Sequence, residues 1–155
     1  STSLSAAAGF LEAKEQGADI GEIVVVIGDG SIQNGLALSA LNYLGSRKNQ
    51  KVIIILNDNN MSISKNVGSI SKILDRVRLQ RSYQFFRKLT PKFLTKFKQA
   101  VSSYLHGGNI FSAIGFRYFG PIDGHDLKEL IRFFRFAKNS DQSIILHVNT
   151  QKGKG

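Results

Sequence analysis

Val25-Val26-Ile27-Gly28-Asp29-Gly30-Ser31-Ile32-Gln33-Asn34-Gly35 carries an apolar run directly into a glycine turn and on into helix-forming sequence. Such a turn presents backbone N–H groups where a phosphate can sit, yet Asp29 puts a carboxylate into it and repels a bare phosphate. A divalent cation between the two removes the conflict. Mg²⁺ suits, because it takes one or two protein oxygens together with phosphate oxygens. Asn57-Asp58-Asn59-Asn60-Met61-Ser62-Ile63-Ser64 comes next, with Asn59 thirty positions beyond Asp29. It closes the following apolar run with neutral oxygen donors.

Working outward, apolar runs alternate with helical patterns. Thr2 or Ser3 can cap a first helix that Gly17 ends, and its small face, Ala6-Ala7-Ala8-Gly9, suits a close backbone approach. Glu22 to Ile27 and Val52 to Leu56 read as strands of the kind buried on both faces. Between them a helix is expected from Ile32 to Leu44, with Leu36, Leu38, Leu41 and Leu44 as its apolar set. Further on, Ile114 to Phe119 reads as a strand, Asp126 caps a helix running to Lys138, and Ser143 to Val148 is a final strand. The pattern predicts an open α/β fold, a parallel sheet with helices on both faces. Ligands of such sheets bind outside the carboxyl ends of the strands, where both the glycine and the asparagine turns fall.

With 155 residues, 42% of them hydrophobic, the chain can bury one sizeable core. The absence of cysteine excludes disulfide scaffolds, thiolate metal sites and a cysteine nucleophile. No run approaches the roughly 18 apolar residues that a bilayer span needs. The opening on Ser1 and the ending on Lys152-Gly153-Lys154-Gly155 read as a piece of a longer polypeptide.

The net charge of +10 suggests nucleic acid until its location is examined. Between Ser71 and Ala100, nine basic residues stand against the single acid Asp75. The excess therefore belongs to one insert-like segment, residues 72–107. Its interleaved aromatics match a single-stranded nucleic-acid surface, but Phe93, Leu94, Phe97, Val101, Tyr104 and Leu105 fall at helical spacing. An amphipathic helix with its lysines in water is the expectation, and nucleic acid is not an expected partner.

A dinucleotide fingerprint would need a third glycine where Gln33 stands, and no Gly-Lys-Ser or Gly-Lys-Thr follows the turn as a nucleoside-triphosphate loop requires. His125, before the Asp126 cap, suits proton transfer or the bonding of its own turn, and the second is favoured. His147, inside a strand, reads as a packed core histidine.

Gly28-Asp29-Gly30 followed by Asn59 resembles the thiamine-diphosphate signature. Leu56-Asn57-Asp58-Asn59-x-Met61-Ser62-Ile63-Ser64-x-Asn66-Val67-Gly68 is similar to the 1-deoxy-D-xylulose-5-phosphate synthase family, with transketolases the second choice. Ser1-Thr2-Ser3-Leu4-Ser5, Gly120-Pro121-Ile122-Asp123-Gly124-His125-Asp126 and His147 to Gly155 agree with it. The resemblance implies a thiamine-diphosphate-binding, Rossmann-like fold and thiamine diphosphate with Mg²⁺ as cofactors. Asp29 and Asn59 would be side-chain metal ligands and the Met61 carbonyl a third. Gly28, Gly30 and Ser31 would form the turn that holds the diphosphate.

For the parent protein the resemblance implies pyruvate and glyceraldehyde 3-phosphate as substrates, a role in isoprenoid, thiamine and pyridoxal synthesis, and a homodimer. A bacterial cytoplasm or a plastid-type organelle is the implied setting. The family's catalytic histidine and glutamate lie outside these residues, as does the tyrosine that follows its closing glycine. The chain is thus expected to be a single partial diphosphate-binding domain over residues 1–155, truncated at both ends, with no catalytic residue of its own and inactive alone.

Overall fold

The computed structural model describes residues 2–59 and 110–154. Met61 and the basic segment 72–107 lie outside the described residues, so those readings are not addressed by the fold.

Among the described residues nine elements follow in order. Helix α1 (Ser3–Glu15) leads to strand β1 (Ile23–Gly28), a single turn α2 (Asp29–Ile32), helix α3 (Gly35–Ser46) and strand β2 (Val52–Asp58). The second described stretch holds the short α4 (Ile110–Ala113), β3 (Arg117–Asp123), α5 (Leu127–Lys138) and β4 (Ile144–Asn149). The four strands form one all-parallel sheet in the order β1-β2-β4-β3. This is the expected α/β fold.

Strands β2 and β4 are central, and their apolar runs, Val52 to Leu56 and Ile144 to Val148, are buried almost without interruption. Side chains alternate between the two faces of a strand, so the sheet closes two apolar layers. Val25, Ile27, Ile54, Leu56 and Ile145 pack with Leu4, Leu11, Leu41 and Leu44 of α1 and α3. On the opposite face Ile53, Ile144, Leu146 and Phe119 pack with Ala137, Leu130, Phe133 and Phe136 of α5.

β1 departs from the expectation of burial on both faces. Among the described residues it pairs with β2 alone, and Val24 and Val26 are 51% and 62% exposed. The reason is position: β1 is an edge strand, and among the described residues the layer beneath α5 is built on the β2, β3 and β4 side.

The helix expected from Ile32 to Leu44 is also revised. Its sequence splits into α2 and α3, because Asn34 turns extended and its side-chain oxygen accepts from the Leu36 N–H at 2.9 Å. That cap restarts the helix at Gly35. The buried stripe becomes Ala37, Ala40, Leu41 and Leu44, while Leu36 is 51% exposed. In α1, Thr2 occupies the N-cap without a side-chain bond, and of the small face only Ala7 is buried.

The third strand lies later than Ile114 to Phe119. Gly115, at φ +105°, ends α4, and its Cα rests against the Gly45 carbonyl, where a Cβ would come within 2.2 Å. Extended structure therefore begins at Arg117 and runs to Asp123. The pairing with β4 shifts between Phe119 and Ile122, across the cis Gly120–Pro121 bond, since proline has no N–H for the ladder. The Asp126 cap stands as expected: its carboxylate accepts from the Glu129 N–H at 3.0 Å, and α5 ends at Lys138.

Candidate cofactor site at the strand tips

β1 ends at Gly28 and β2 at Asp58, and the parallel register pairs Gly28 with Asn57. Adjacent strands lie about 4.8 Å apart, so the glycine turn and the asparagine turn leave the sheet side by side at its carboxyl edge. The topology thus brings Gly28, Asp29, Gly30, Ser31 and Asn59 to one place, and Met61 falls outside the described residues.

Asp29 is buried to 5% exposure and is the first residue of α2, with Gly28 and not Asp29 in the N-cap position. Gly30 and Ser31 are exposed. A Cβ built on Gly28 or Gly30 meets nothing within 4 Å. The backbone of the turn can therefore be approached closely. Just past the turn, Gln33 Nε2 is a buried donor without a hydrogen-bond partner among the described residues, and Asn149 Oδ1 at the tip of β4 is a buried acceptor in the same condition. Buried polar groups are normally satisfied, and an orphaned donor just past the turn, the Gln33 amide, suits an anionic occupant; Asn149 Oδ1 is an acceptor on β4, separated from β1 by β2, and does not.

The donor set also decides which cation it suits. Among the described residues no group of three or more His, Cys, Asp or Glu side chains could hold a metal. The Asp29 carboxylate and the Asn59 carboxamide would make a sparse hard-oxygen set, of the kind that suits Mg²⁺ sharing its shell with phosphate and water rather than a closed protein cage.

The tips of β2, β3 and β4 are bonded to one another. Thr150 donates its N–H to the Asp58 carbonyl at 2.8 Å and its hydroxyl to Asn57 Oδ1 at 2.7 Å. Gly124 N–H donates to the Asn149 carbonyl at 2.8 Å. His125 joins this lattice: its backbone N–H donates to Asp123 Oδ1 and its Nε2 accepts from the Gln151 N–H at 2.9 Å. It bonds its own turn and the exit of β4, the role the sequence favoured.

His147 has the burial expected of it, with no exposure, but it is not surrounded by apolar groups alone. Nδ1 meets the Tyr118 hydroxyl at 2.5 Å and Nε2 meets Asp58 Oδ2 at 3.1 Å, all three residues being buried. Burial pushes the Tyr118 phenol well above its usual range, and the Asp58 charge pushes it further. The phenol therefore stays protonated and can donate to Nδ1, with Nε2–H then donating to the carboxylate. Sequence reading missed this row because Asp58, Tyr118 and His147 are far apart in the chain. The signal was parity: all three fall on the face that buries Leu56 and Ile145.

A family model described as 1-deoxy-D-xylulose-5-phosphate synthase matches residues 1–150. Curated relatives of that name include those of Clostridium acetobutylicum, 43% identical over 168 aligned positions, and Clostridium kluyveri, 41% identical over 169. The relative from Gloeothece citriformis is 39% identical over 171 positions. Each alignment covers 100% of this chain and 27% of the relative, so the chain spans about a quarter of the length of the proteins it matches. A match over nearly every residue, on a parallel sheet with both turns at its carboxyl edge, places the chain in the 1-deoxy-D-xylulose-5-phosphate synthase family.

Proposed function

We propose that this chain supplies the metal and diphosphate half of a thiamine-diphosphate site. The polypeptide carrying it would condense pyruvate with glyceraldehyde 3-phosphate, releasing carbon dioxide and forming 1-deoxy-D-xylulose 5-phosphate for isoprenoid, thiamine and pyridoxal synthesis. The observation that carries the reading is the pairing of Gly28 with Asn57, which sets the Asp29 and Asn59 turns side by side. The name borne by the relatives supports the product.

Asp29 and Asn59 would hold Mg²⁺ through their side chains, with the Met61 carbonyl as a third oxygen. The Gly30 and Ser31 amides would bond the diphosphate, close to the open space over Gly28. Bound thiamine diphosphate supplies the electron sink through which a 2-oxo acid loses carbon dioxide. In this reading the chain alone would be inactive, and the full polypeptide would act as a homodimer. Its medium is a bacterial cytoplasm or a plastid-type organelle.

Titration calorimetry with thiamine diphosphate and Mg²⁺, on the full native polypeptide and its Asp29→Ala variant, tests this. The variant is expected to bind at least about tenfold more weakly, in keeping with the loss of a charged metal ligand. Unchanged affinity sinks the reading.

A further inference from the structure

His147 has both ring nitrogens bonded and no exposed surface, and it sits in β4 two residues before the strand ends at Asn149. A polar row of this kind costs stability unless every member is satisfied. Apolar side chains of similar volume would fill the same layer, which Leu56 and Ile145 already line. The row lies directly beneath the asparagine turn. Asp58, 1% exposed, is the residue between Asn57 and Asn59.

We propose that His147 is a positioning residue for the metal site: by holding the Asp58 carboxylate inside the sheet, with Tyr118 behind it, it fixes the strand tip from which Asn59 reaches the cation. The inference rests on the reading of Asn59 as a ligand.

The geometry supports it from three sides. Successive residues of a strand point to opposite faces, so anchoring Asp58 inward sets the facing of Asn57 before it and of the residue after it. The same tip is pinned on its backbone by the Thr150 N–H to the Asp58 carbonyl, and on its other side chain by the Thr150 hydroxyl to Asn57. Rotation about the Asp58 peptide is thus resisted at one backbone carbonyl and two side chains. Finally, β3 packs closely on the backbone of β4 at this residue. At Gly120, with φ +139°, a Cβ would come within 2.5 Å of the His147 carbonyl and 2.8 Å of its Cβ. Groups that hydrogen-bond a metal ligand directly are commonly worth about 10- to 100-fold in metal affinity, and His147 acts on Asn59 one residue removed, through Asp58.

The test measures Mg²⁺ affinity, with Mn²⁺ as a spectroscopic substitute, in the presence of thiamine diphosphate on the full native polypeptide. His147→Leu keeps volume and removes both bonds; His147→Gln keeps an N–H donor able to reach Asp58. The leucine variant is expected to bind the cation at least about tenfold more weakly, and the glutamine variant within about threefold of the parent. A purely structural histidine would lower the unfolding midpoint of both variants without separating their metal affinities, and that result overturns the proposal. Should the leucine variant be insoluble, Tyr118→Phe removes one hydroxyl only. It is expected to weaken cation binding more than about threefold relative to the parent, and parent-like affinity in Tyr118→Phe overturns the proposal. Asn59→Ala runs alongside: if it leaves affinity unchanged, the ligand reading has failed, whereas a loss there with parent-like His147→Leu fails the positioning role alone.

Discussion

At the scale of single residues, the molecule turns on a few side chains whose surroundings set their chemistry. Asp29 is buried at the mouth of an open turn, and a carboxylate there is tolerable when a cation or strong donors meet it. Gly120 shows the opposite constraint, a place where any side chain is excluded. Replacing it with alanine puts a methyl into the His147 backbone at a φ that L-residues rarely adopt. Gly120→Ala is therefore expected to destabilise the fold by about 1–3 kcal/mol, read as a lower urea midpoint with an unchanged slope. A midpoint equal to that of the parent would show that β3 does not pack on β4 as closely as described.

Elements are held together by caps and by one charged cluster. Asn34 starts α3 and so orients the glycine turn that precedes it. Asn34→Ala is expected to cost about 1 kcal/mol in urea unfolding, the usual worth of an N-cap. Helices α1 and α3 meet through Glu12, Tyr43 and Arg47. The Tyr43 hydroxyl and the Arg47 guanidinium both donate to the Glu12 carboxylate, and Arg47 also lies 3.7 Å from Glu15. The Tyr43 hydrogen bond, aided by the Arg47 charge, holds the Glu12 carboxyl below its usual range, against the opposing effect of burial.

A group whose folded pKa is depressed adds stability above its unfolded pKa, and that stability is lost as pH falls through the folded value. The fall should begin near the ordinary carboxylate range, about pH 4. In Tyr43→Phe the depression weakens, so the unfolding midpoint should drop less steeply between about pH 5 and pH 3 than in the parent. Parallel acid limbs in the two proteins would remove the cluster from the pH response.

Over the whole molecule, stability rests on a central pair of strands sandwiched between two apolar layers. Ile54 on β2 is fully buried in the layer with α1 and α3, while Ile53 beside it belongs to the layer with α5. Ile54→Ala is expected to cost about 2–5 kcal/mol, because the removed methyl groups leave a cavity the sheet cannot close. Denaturant unfolding measures it, and a loss under about 1 kcal/mol would mean the layer is not packed as a rigid core. A cavity of about 340 Å³ lined by Arg47, Lys48 and Arg117 opens near the amino end of β3 and the start of β4, away from the strand tips that form the candidate site. No helix among the described residues is long and apolar enough to cross a membrane.

Much of this was legible in the chain itself. The apolar runs at 22–27, 52–56 and 143–148 announced parallel strands, and Asp126 announced the start of α5, because those signals are local: β-branched runs and a carboxylate before a helical pattern act within a few residues. The α/β class and the two turns followed from them, as did the family. Where a second residue resets the phase, local reading slipped: Asn34 moved the α3 stripe from Leu36 to Ala37, and Gly115 with Pro121 moved β3 toward the carboxyl end. Three-dimensional structure alone decided the strand order, the exposure of the β1 edge and the row from Tyr118 through His147 to Asp58. Those depend on register between strands up to 89 residues apart, which no pattern along the chain encodes. Sequence sets what each segment prefers; only packing against the others settles which of its faces is buried and which polar groups meet there.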